Sequence, residues 1–189
     1  MQKLIRFVRK ATRILVDRLR NQGVRVTLIW LYGRGFPKLT GIPLVQFSHI
    51  TPDLWVGGQF GKIGKRKLER QGVVGDVNMR VEFDDAAHGL ALAAYCHLPT
   101  VDDAAPTIAH LQQGADFMQR VIADGGSVYV HCAGGIGRAP TMAAAYLITQ
   151  GYTLDEAVAL IKQTRPFIRI MPPQWEQLKR FETLHRDGK

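Results

Sequence analysis

Cysteine and long apolar runs are both scarce in this chain of 189 residues. Its two cysteines, Cys96 and Cys132, exclude the disulfide framework of a small secreted domain, so we expect a reducing compartment. No stretch approaches the ~20 apolar residues of a membrane-spanning helix. Arginines interrupt every apolar run near the N-terminus, so a secretory signal peptide is not expected. Cysteine and histidine lack zinc-type spacing, and we expect neither a metal nor another cofactor.

Acidic residues are nearly absent from residues 1–40, which we call the basic segment. It carries one acid, Asp17, against ten basic residues, while the rest of the chain carries 15 of each sign. The whole net charge of +9 therefore resides in the basic segment. Its basic residues are Lys3, Arg6, Arg9, Lys10, Arg13, Arg18, Arg20, Arg25, Arg34 and Lys38.

The start of the basic segment is patterned as an amphipathic helix. One face would carry Leu4, Phe7, Val8, Ala11, Leu15 and Leu19, and the opposite face Arg6, Arg9, Lys10, Arg13 and Arg20. Such a helix can lie on an anionic membrane, where each basic group contributes ~1 kcal/mol. The alternative is a solvated helix packed on its own domain. Because the chain has no motif that reads bases, we do not expect it to bind nucleic acid.

Glycine and proline divide the chain. They cluster at 33–37 and again at 41–43, which predicts an N-terminal segment over residues 1–43 and a compact domain over 44–189. A hydrophobic content of 46% is enough for one full core in that domain. The apolar run 26–32 fits a strand, a membrane-dipping segment or a continuation of the helix, and these alternatives remain open.

Apolar periodicity predicts alternating strands and helices after residue 44. The predicted strands are one at 50–58 entering a turn, one at 73–78, one at 95–98 ended by Pro99, and one at 128–132. The predicted helices span 62–71, 86–94 (weakly), 107–123, about Pro140 to Gln150, Thr153 (with a capping box) to about 162, and Pro172 onward. This order predicts an α/β fold with a mainly parallel central sheet flanked by helices.

Residues 131–138, the signature loop, combine a cysteine, three glycines and an arginine between a strand and a helix. Ligands bind at the carboxyl ends of parallel strands, where Cys132 would lie. A helix N-terminus lowers the pKa of a thiol from ~8.5 and favours oxyanions. Positive φ at glycines 134, 135 and 137 would turn N–H groups inward, and Arg138 would grip two phosphate oxygens. The alternative for Cys132 is an inert buried cysteine.

The signature loop reads His-Cys-Ala-Gly-Gly-Ile-Gly-Arg. It resembles the His-Cys-x-x-Gly-x-x-Arg signature of the cysteine-dependent protein tyrosine and dual-specificity phosphatase superfamily; a rhodanese-like sulfurtransferase loop is the nearest alternative. The resemblance implies a dual-specificity phosphatase-like fold and a phosphocysteine formed on Cys132. By the same likeness His131 supports the loop by hydrogen bonding. Phosphate would be bound by Ala133, Gly134, Gly135, Ile136, Gly137 and Arg138.

The stretch 97–102 resembles the part of the family that supplies the general acid. The resemblance implies that Asp102 protonates the leaving oxygen and then activates water, with Asp103 as the competing candidate. The family usually has serine or threonine after the arginine, where this chain has Ala139. We therefore expect slower breakdown of the intermediate, with Thr141 too far along the chain to substitute.

The nature of the substrate is indicated by resemblance alone. The chain is most similar to the branch of the superfamily that dephosphorylates phosphatidylglycerophosphate, which implies a phospholipid head group. The resembling segments are 78–83, 99–102, 113–117, 128–132 and 144–148. The alternatives are a protein tyrosine or dual-specificity protein phosphatase, a glucan phosphatase, and a weakly active phosphate-binding adaptor. We expect a cytoplasmic protein, peripheral on the inner face of a membrane.

Overall fold

The computed structural model describes residues 12, 15–17, 19–28 and 47–186. The chain divides into two compact units, Met1–Leu44 and Val45–Lys189, each of which is described by itself. The described residues of the first unit are helical, and we call them α1. Most of the predicted amphipathic face lies outside the described residues, as do positions 29–32 of the apolar run. In the described parts of the chain, no helix is long and apolar enough to span a membrane.

The second unit is built on a five-stranded sheet with the order β1-β2-β5-β3-β4. Strands β2, β5, β3 and β4 run parallel, and β1 joins β2 as an antiparallel edge. The strands are β1 (Phe47–Thr51), β2 (Leu54–Gly58), β3 (Val73–Arg80), β4 (Ala94–Thr100) and β5 (Ser127–Cys132). The predicted α/β fold with a mainly parallel sheet is confirmed.

Helices cover both faces of this sheet. They are α2 (Lys62–Arg70), α3 (Ile108–Ala123), α4 (Arg138–Thr149), α5 (Leu154–Thr164) and α6 (Pro172–Arg186). Helix α4 packs against α3, α5, α6 and β5, so nearly all its side chains are buried and its sequence is small and apolar. Leu68 of α2 packs with Tyr129 in a separate apolar cluster on the other face. The predicted capping box of Thr153 and Glu156 is present at the start of α5.

Four predicted element boundaries were wrong. Pro99 does not end its strand, because β4 is an edge strand and needs no N–H there. The predicted weak helix at 86–94 is a 3-10 turn, Ala86–His88, followed by irregular chain. The predicted strand at 50–58 is a hairpin of β1 and β2 that turns at residues 52–53. Helix α4 begins at Arg138, which leaves Pro140 inside its first turn.

Candidate active site

The signature loop joins the end of β5 to the start of α4. Strand β5 lies between β2 and β3 in the sheet, so Cys132 emerges at the middle of its carboxyl edge. The Gly135 N–H points back at the cysteine and donates to Sγ over 3.2 Å. Only 3% of Cys132 is exposed, and α4 begins six residues later at Arg138. An amide donor, a helix N-terminus and a guanidinium, the groups that favour a thiolate, therefore all belong to this one loop.

One glycine carries the sharp turn of the signature loop. Gly135 has a φ of 62°, and a Cβ there would collide with the backbone of Gly57. The prediction that Gly134 and Gly137 also adopt positive φ was wrong. Gly137 has a φ of −115° as the N-cap of α4, so it takes part in the helix start instead. Substitution at Gly135 is therefore the one that both conformation and space forbid.

A second arginine supports the loop from below. Arg165, 1% exposed, donates from Nε to the Gly135 carbonyl (2.8 Å) and from Nη2 to the Gly134 carbonyl (3.2 Å). Its Nη1 also donates to Ser48 Oγ over 3.0 Å. Because the Gly134 carbonyl is turned toward Arg165, the N–H of the same planar peptide, that of Gly135, points the opposite way and meets Cys132 Sγ. Arg165 could not be recognised from the sequence, because a basic residue at the end of a helix such as α5 is ordinary.

Arg138 is fixed by a carboxylate and by backbone carbonyls. Glu82 receives two bonds from its Nη1 and Nη2, at 3.0 and 3.1 Å, and the Thr100 carbonyl accepts from Nη1 at 2.8 Å. These bonds from Arg138 lower the pKa of Glu82 to about 2, so the pair stays ionised in neutral solution. In the described part of the chain, Nε of Arg138 is buried and has no hydrogen-bond partner. That donor is free for an arriving anion.

The two candidate acids differ in their position. Asp102 Oδ1 lies 3.0 Å from Arg138 Nη2, although the Asp102 side chain is 75% exposed. Asp103 has a φ of 64° and, within residues 47–186, makes no hydrogen bond or ion pair. The structure thus brings Asp102 and not Asp103 to the signature loop. The role of Asp102 as general acid stays a prediction.

His131 lies in a buried cluster of three titratable groups. Its Nε2 is 2.8 Å from Asp85 Oδ2 and 3.8 Å from Asp76 Oδ2, and all three side chains are fully buried. The set has metal-ligating chemistry. However, two ligands of one tetrahedral zinc stand roughly 3.3 Å apart. The 2.8 Å spacing of the His131 and Asp85 atoms is shorter than that and fits a direct ion pair rather than two ligands of one ion. The expectation of no metal stays a prediction.

Two further residues bear on the predicted chemistry. The Thr141 hydroxyl donates to the Gly137 carbonyl (2.9 Å), so it is engaged within α4 and does not replace the hydroxyl missing at Ala139. Cys96 pairs in register with Val77, which in turn pairs with Val130 of β5. Two strand spacings of about 4.8 Å each separate Cys96 from β5, too far for a disulfide to Cys132.

Comparisons with known proteins place the chain in a family. The dual specificity phosphatase catalytic domain matches residues 58–184. Mouse dual specificity phosphatase 28 is 30% identical over 139 residues, which is 72% of this chain and 83% of that protein. Mouse phosphatidylglycerophosphatase and protein-tyrosine phosphatase 1 is 44% identical over 86 residues, which is 44% of this chain. The chain thus spans about half (45%) of the length of that relative.

Solved structures agree in fold. A crystal structure of PTPMT1 in complex with PI(5)P has a TM-score of 0.70 at 31% identity, covering 75% of this chain and 97% of that one. A structure of human DUSP28 has a TM-score of 0.67 at 25% identity, covering 74% and 98%. The predicted family resemblance is confirmed. The chain, with its Cys132 to Arg138 loop at the carboxyl edge of a parallel sheet, belongs to the dual specificity phosphatase family of cysteine-based phosphatases.

Proposed function

We propose that the chain hydrolyses phosphomonoesters through a phosphocysteine on Cys132, and that its substrate is a phospholipid monoester. The observation that carries the reaction is the pairing of a thiol that accepts an amide N–H with a buried arginine whose Nε lacks a partner. These groups offer a nucleophile and an anion site within one loop.

Each residue has a defined step in this proposal. The Cys132 thiolate attacks phosphorus, an S–P bond forms, and the P–O bond to the leaving group breaks. Asp102, as the acid, gives its proton to the leaving oxygen. Asp102 then takes a proton from water while that water attacks phosphorus, the S–P bond breaks, and the thiolate and inorganic phosphate are released. Arg138 and the N–H groups of the signature loop hold the three non-bridging oxygens.

A phosphate arriving at Arg138 competes with Asp102. The guanidinium already holds Asp102 at 3.0 Å, and Glu82 binds the two terminal nitrogens. A phosphate dianion on Nε would displace the exposed Asp102 while Glu82 keeps the arginine oriented. Release of Asp102 would free its carboxyl to meet the leaving oxygen.

The proposal of a lipid substrate is supported by two separate observations. The relative with 44% identity is named a phosphatidylglycerophosphatase as well as a protein-tyrosine phosphatase, and the solved PTPMT1 structure is a complex with PI(5)P. The basic segment carries the net charge of +9, and several apolar side chains of α1 are exposed: Val16, Leu19, Val24 and Leu28. Positive charge with exposed apolar side chains suits an anionic membrane surface.

The substrate class is tested by one parallel assay. Purified full chain is given phosphatidylglycerophosphate and phosphoinositides in mixed vesicles, a phosphotyrosine peptide, and phosphoglucan. We expect the highest kcat/KM on a phospholipid. A higher value on the peptide would support the alternative of a protein phosphatase, since the relative with 44% identity is also named a protein-tyrosine phosphatase. A higher value on phosphoglucan, or a single turnover on all four, would support the glucan phosphatase or the adaptor.

Membrane attachment is tested by removing residues 1–22. This truncation takes away seven of the ten basic residues of the basic segment. We expect at least a tenfold loss of binding to vesicles that contain phosphatidylglycerol, and unchanged hydrolysis of a soluble aryl phosphate. Neutral phosphatidylcholine vesicles serve as the control. Undiminished binding to anionic vesicles would contradict attachment through this segment, and with it the proposed place on the inner face of a membrane in the cytoplasm.

A further inference from the structure

The two chain neighbours of Cys132, His131 and Ala133, contact Asp85 and Gln59, which also contact each other. On one side of Cys132, His131 Nε2 lies 2.8 Å from Asp85 Oδ2. On the other side, the Ala133 carbonyl accepts the backbone N–H of Gln59 over 3.2 Å. Gln59 and Asp85 are themselves joined, because Gln59 Nε2 donates to Asp85 Oδ1 over 2.6 Å. Both backbone neighbours of Cys132 are therefore held by one pair of contacting residues.

Contacts continue from Gln59 to Arg138, at the other end of the signature loop. Gln59 Oε1 accepts from Arg80 Nη1 (2.9 Å), and Arg80 Nε pairs with Glu82 Oε1 (2.9 Å). Glu82 in turn accepts two hydrogen bonds from Arg138. Gln59 suits its place because its amide donates to a carboxylate and accepts from a guanidinium at once. The segment after β3 thus contacts both the histidine that opens the signature loop and the arginine that closes it.

Burial makes the cluster around His131 costly unless it is fully paired. Asp76, Asp85 and His131 are all 0% exposed, and each buried charge requires a partner. Burial works against the charged imidazole, but Asp76 and Asp85 outweigh it and raise the pKa of His131. Burial also raises the pKa of Asp76.

Within residues 47–186, Asp76 and Asp85 are the only charged groups that pair with the imidazole. Asp76 reaches it from β3 and Asp85 from the chain after β3, while the rings of Phe60 and Tyr129 pack on it at 5.2 and 5.6 Å between centroids. The Tyr129 hydroxyl donates to the Gly58 carbonyl, away from His131, and burial raises the pKa of Tyr129. The charge of His131 therefore depends on the two carboxylates.

We propose that Asp85 is a positioning residue for the nucleophile. It holds His131 through the imidazole and Ala133 through Gln59, and so fixes Cys132 between them for in-line attack. The proposal rests on the proposed function only in that Cys132 is taken as the nucleophile. Without Asp85, His131 would lose its proton at lower pH, and the side-chain amide of Gln59 would lose its acceptor. The hydrogen bonds between Arg138 and Glu82 would remain.

The test compares Asp85→Asn with Asp84→Asn in the full chain. Asp84 is the neighbouring acid and lies outside the cluster, bound to the Tyr95 hydroxyl at 2.7 Å. For Asp85→Asn we expect kcat on an aryl phosphate to fall roughly 10- to 100-fold, as for small misplacements of a reacting group. The dissociation constant of vanadate should change less than about threefold, because Arg138 is intact. The fall of kcat at alkaline pH should begin at lower pH than in the parent protein. Asp84→Asn should match the parent protein.

A second readout does not depend on turnover. The rate of Cys132 alkylation by iodoacetamide, followed against pH, should fall in Asp85→Asn and not in Asp84→Asn. An NMR titration of the parent protein should show a pKa of His131 above that of a free imidazole, which tests the cluster even if Asp85→Asn does not fold. Equal loss of vanadate binding and kcat, an unshifted pH profile with unchanged alkylation, a pKa of His131 at or below the ordinary imidazole value, or one bound zinc per chain would each overturn the proposal. If the parent protein lacks phosphatase activity but alkylation depends on Asp85, the proposed function fails and the positioning role stands.

Discussion

Replacing Cys132 by serine should lower kcat on an aryl phosphate by about 10⁴-fold or more. Serine cannot supply the anion that the proposed attack requires, because an alcohol gives up its proton far less readily than a thiol. The phosphate site is not altered by the change, so vanadate should still bind. The measurement is a steady-state assay with p-nitrophenyl phosphate, repeated with a chelator, which should leave the parent activity intact.

Cys96→Ala is the matched control for this substitution. Cys96 is the other cysteine of the chain, and burial raises its pKa to about 11, so its thiol stays protonated at neutral pH. Its substitution should leave kcat within about twofold. Cys96 lies in the core away from Cys132, so a change of packing there affects stability rather than the reaction. Activity that survives Cys132→Ser, or that disappears with a chelator, would contradict a cysteine-based mechanism.

Replacing Asp102 by asparagine should have the next largest effect, and its size should depend on the leaving group. General acid catalysis contributes about 10²- to 10⁴-fold. The loss should therefore be about 10²-fold or more on glycerol 3-phosphate, a phosphomonoester whose leaving alkoxide needs a proton. It should be smaller on p-nitrophenyl phosphate, whose phenolate leaves unaided. Steady-state kinetics on the two substrates give the ratio.

Asp103→Asn is the control for Asp102→Asn. The residue has a φ of 64°, a conformation that asparagine tolerates as well as aspartate, so the backbone should be undisturbed. It should retain close to the parent kcat on both substrates. A larger loss in Asp103→Asn than in Asp102→Asn would assign the acid to the alternative residue and refute the role given to Asp102.

The architecture could be predicted from the sequence because its signals are local. The alternation of strands and helices and the capping box of Thr153 follow from periodicity and from residues three positions apart. The errors arose where neighbours in space decide the conformation. Pro99 is accommodated because β4 is an edge strand, and Gly135 rather than Gly137 takes the left-handed conformation because it passes close to Gly57.

The supporting residues of the site could not be found in the same way. Glu82 contacts Arg138 across 56 positions and Arg165 contacts Gly135 across 30, and in the sequence both look like ordinary surface charges. Asp76 did carry a signal, because it interrupts an apolar stretch that became the buried strand β3. A carboxyl group inside a buried strand needs polar neighbours: Asp76 Oδ1 accepts the Leu92 N–H, and its Oδ2 lies 3.8 Å from His131 Nε2, beside Cys132.

The central claim, a phosphocysteine on Cys132, is tested most directly by trapping it. Asp102→Asn is mixed with p-nitrophenyl phosphate and quenched in acid, and its peptides are mapped by mass spectrometry. The substrate needs no acid to form the intermediate, whereas we expect the loss of Asp102 and the alanine at position 139 both to slow its hydrolysis. We predict one phosphoryl group per chain on the peptide that contains Cys132. Release of p-nitrophenol with no phosphoryl group on Cys132, or with one on another residue, would contradict the mechanism.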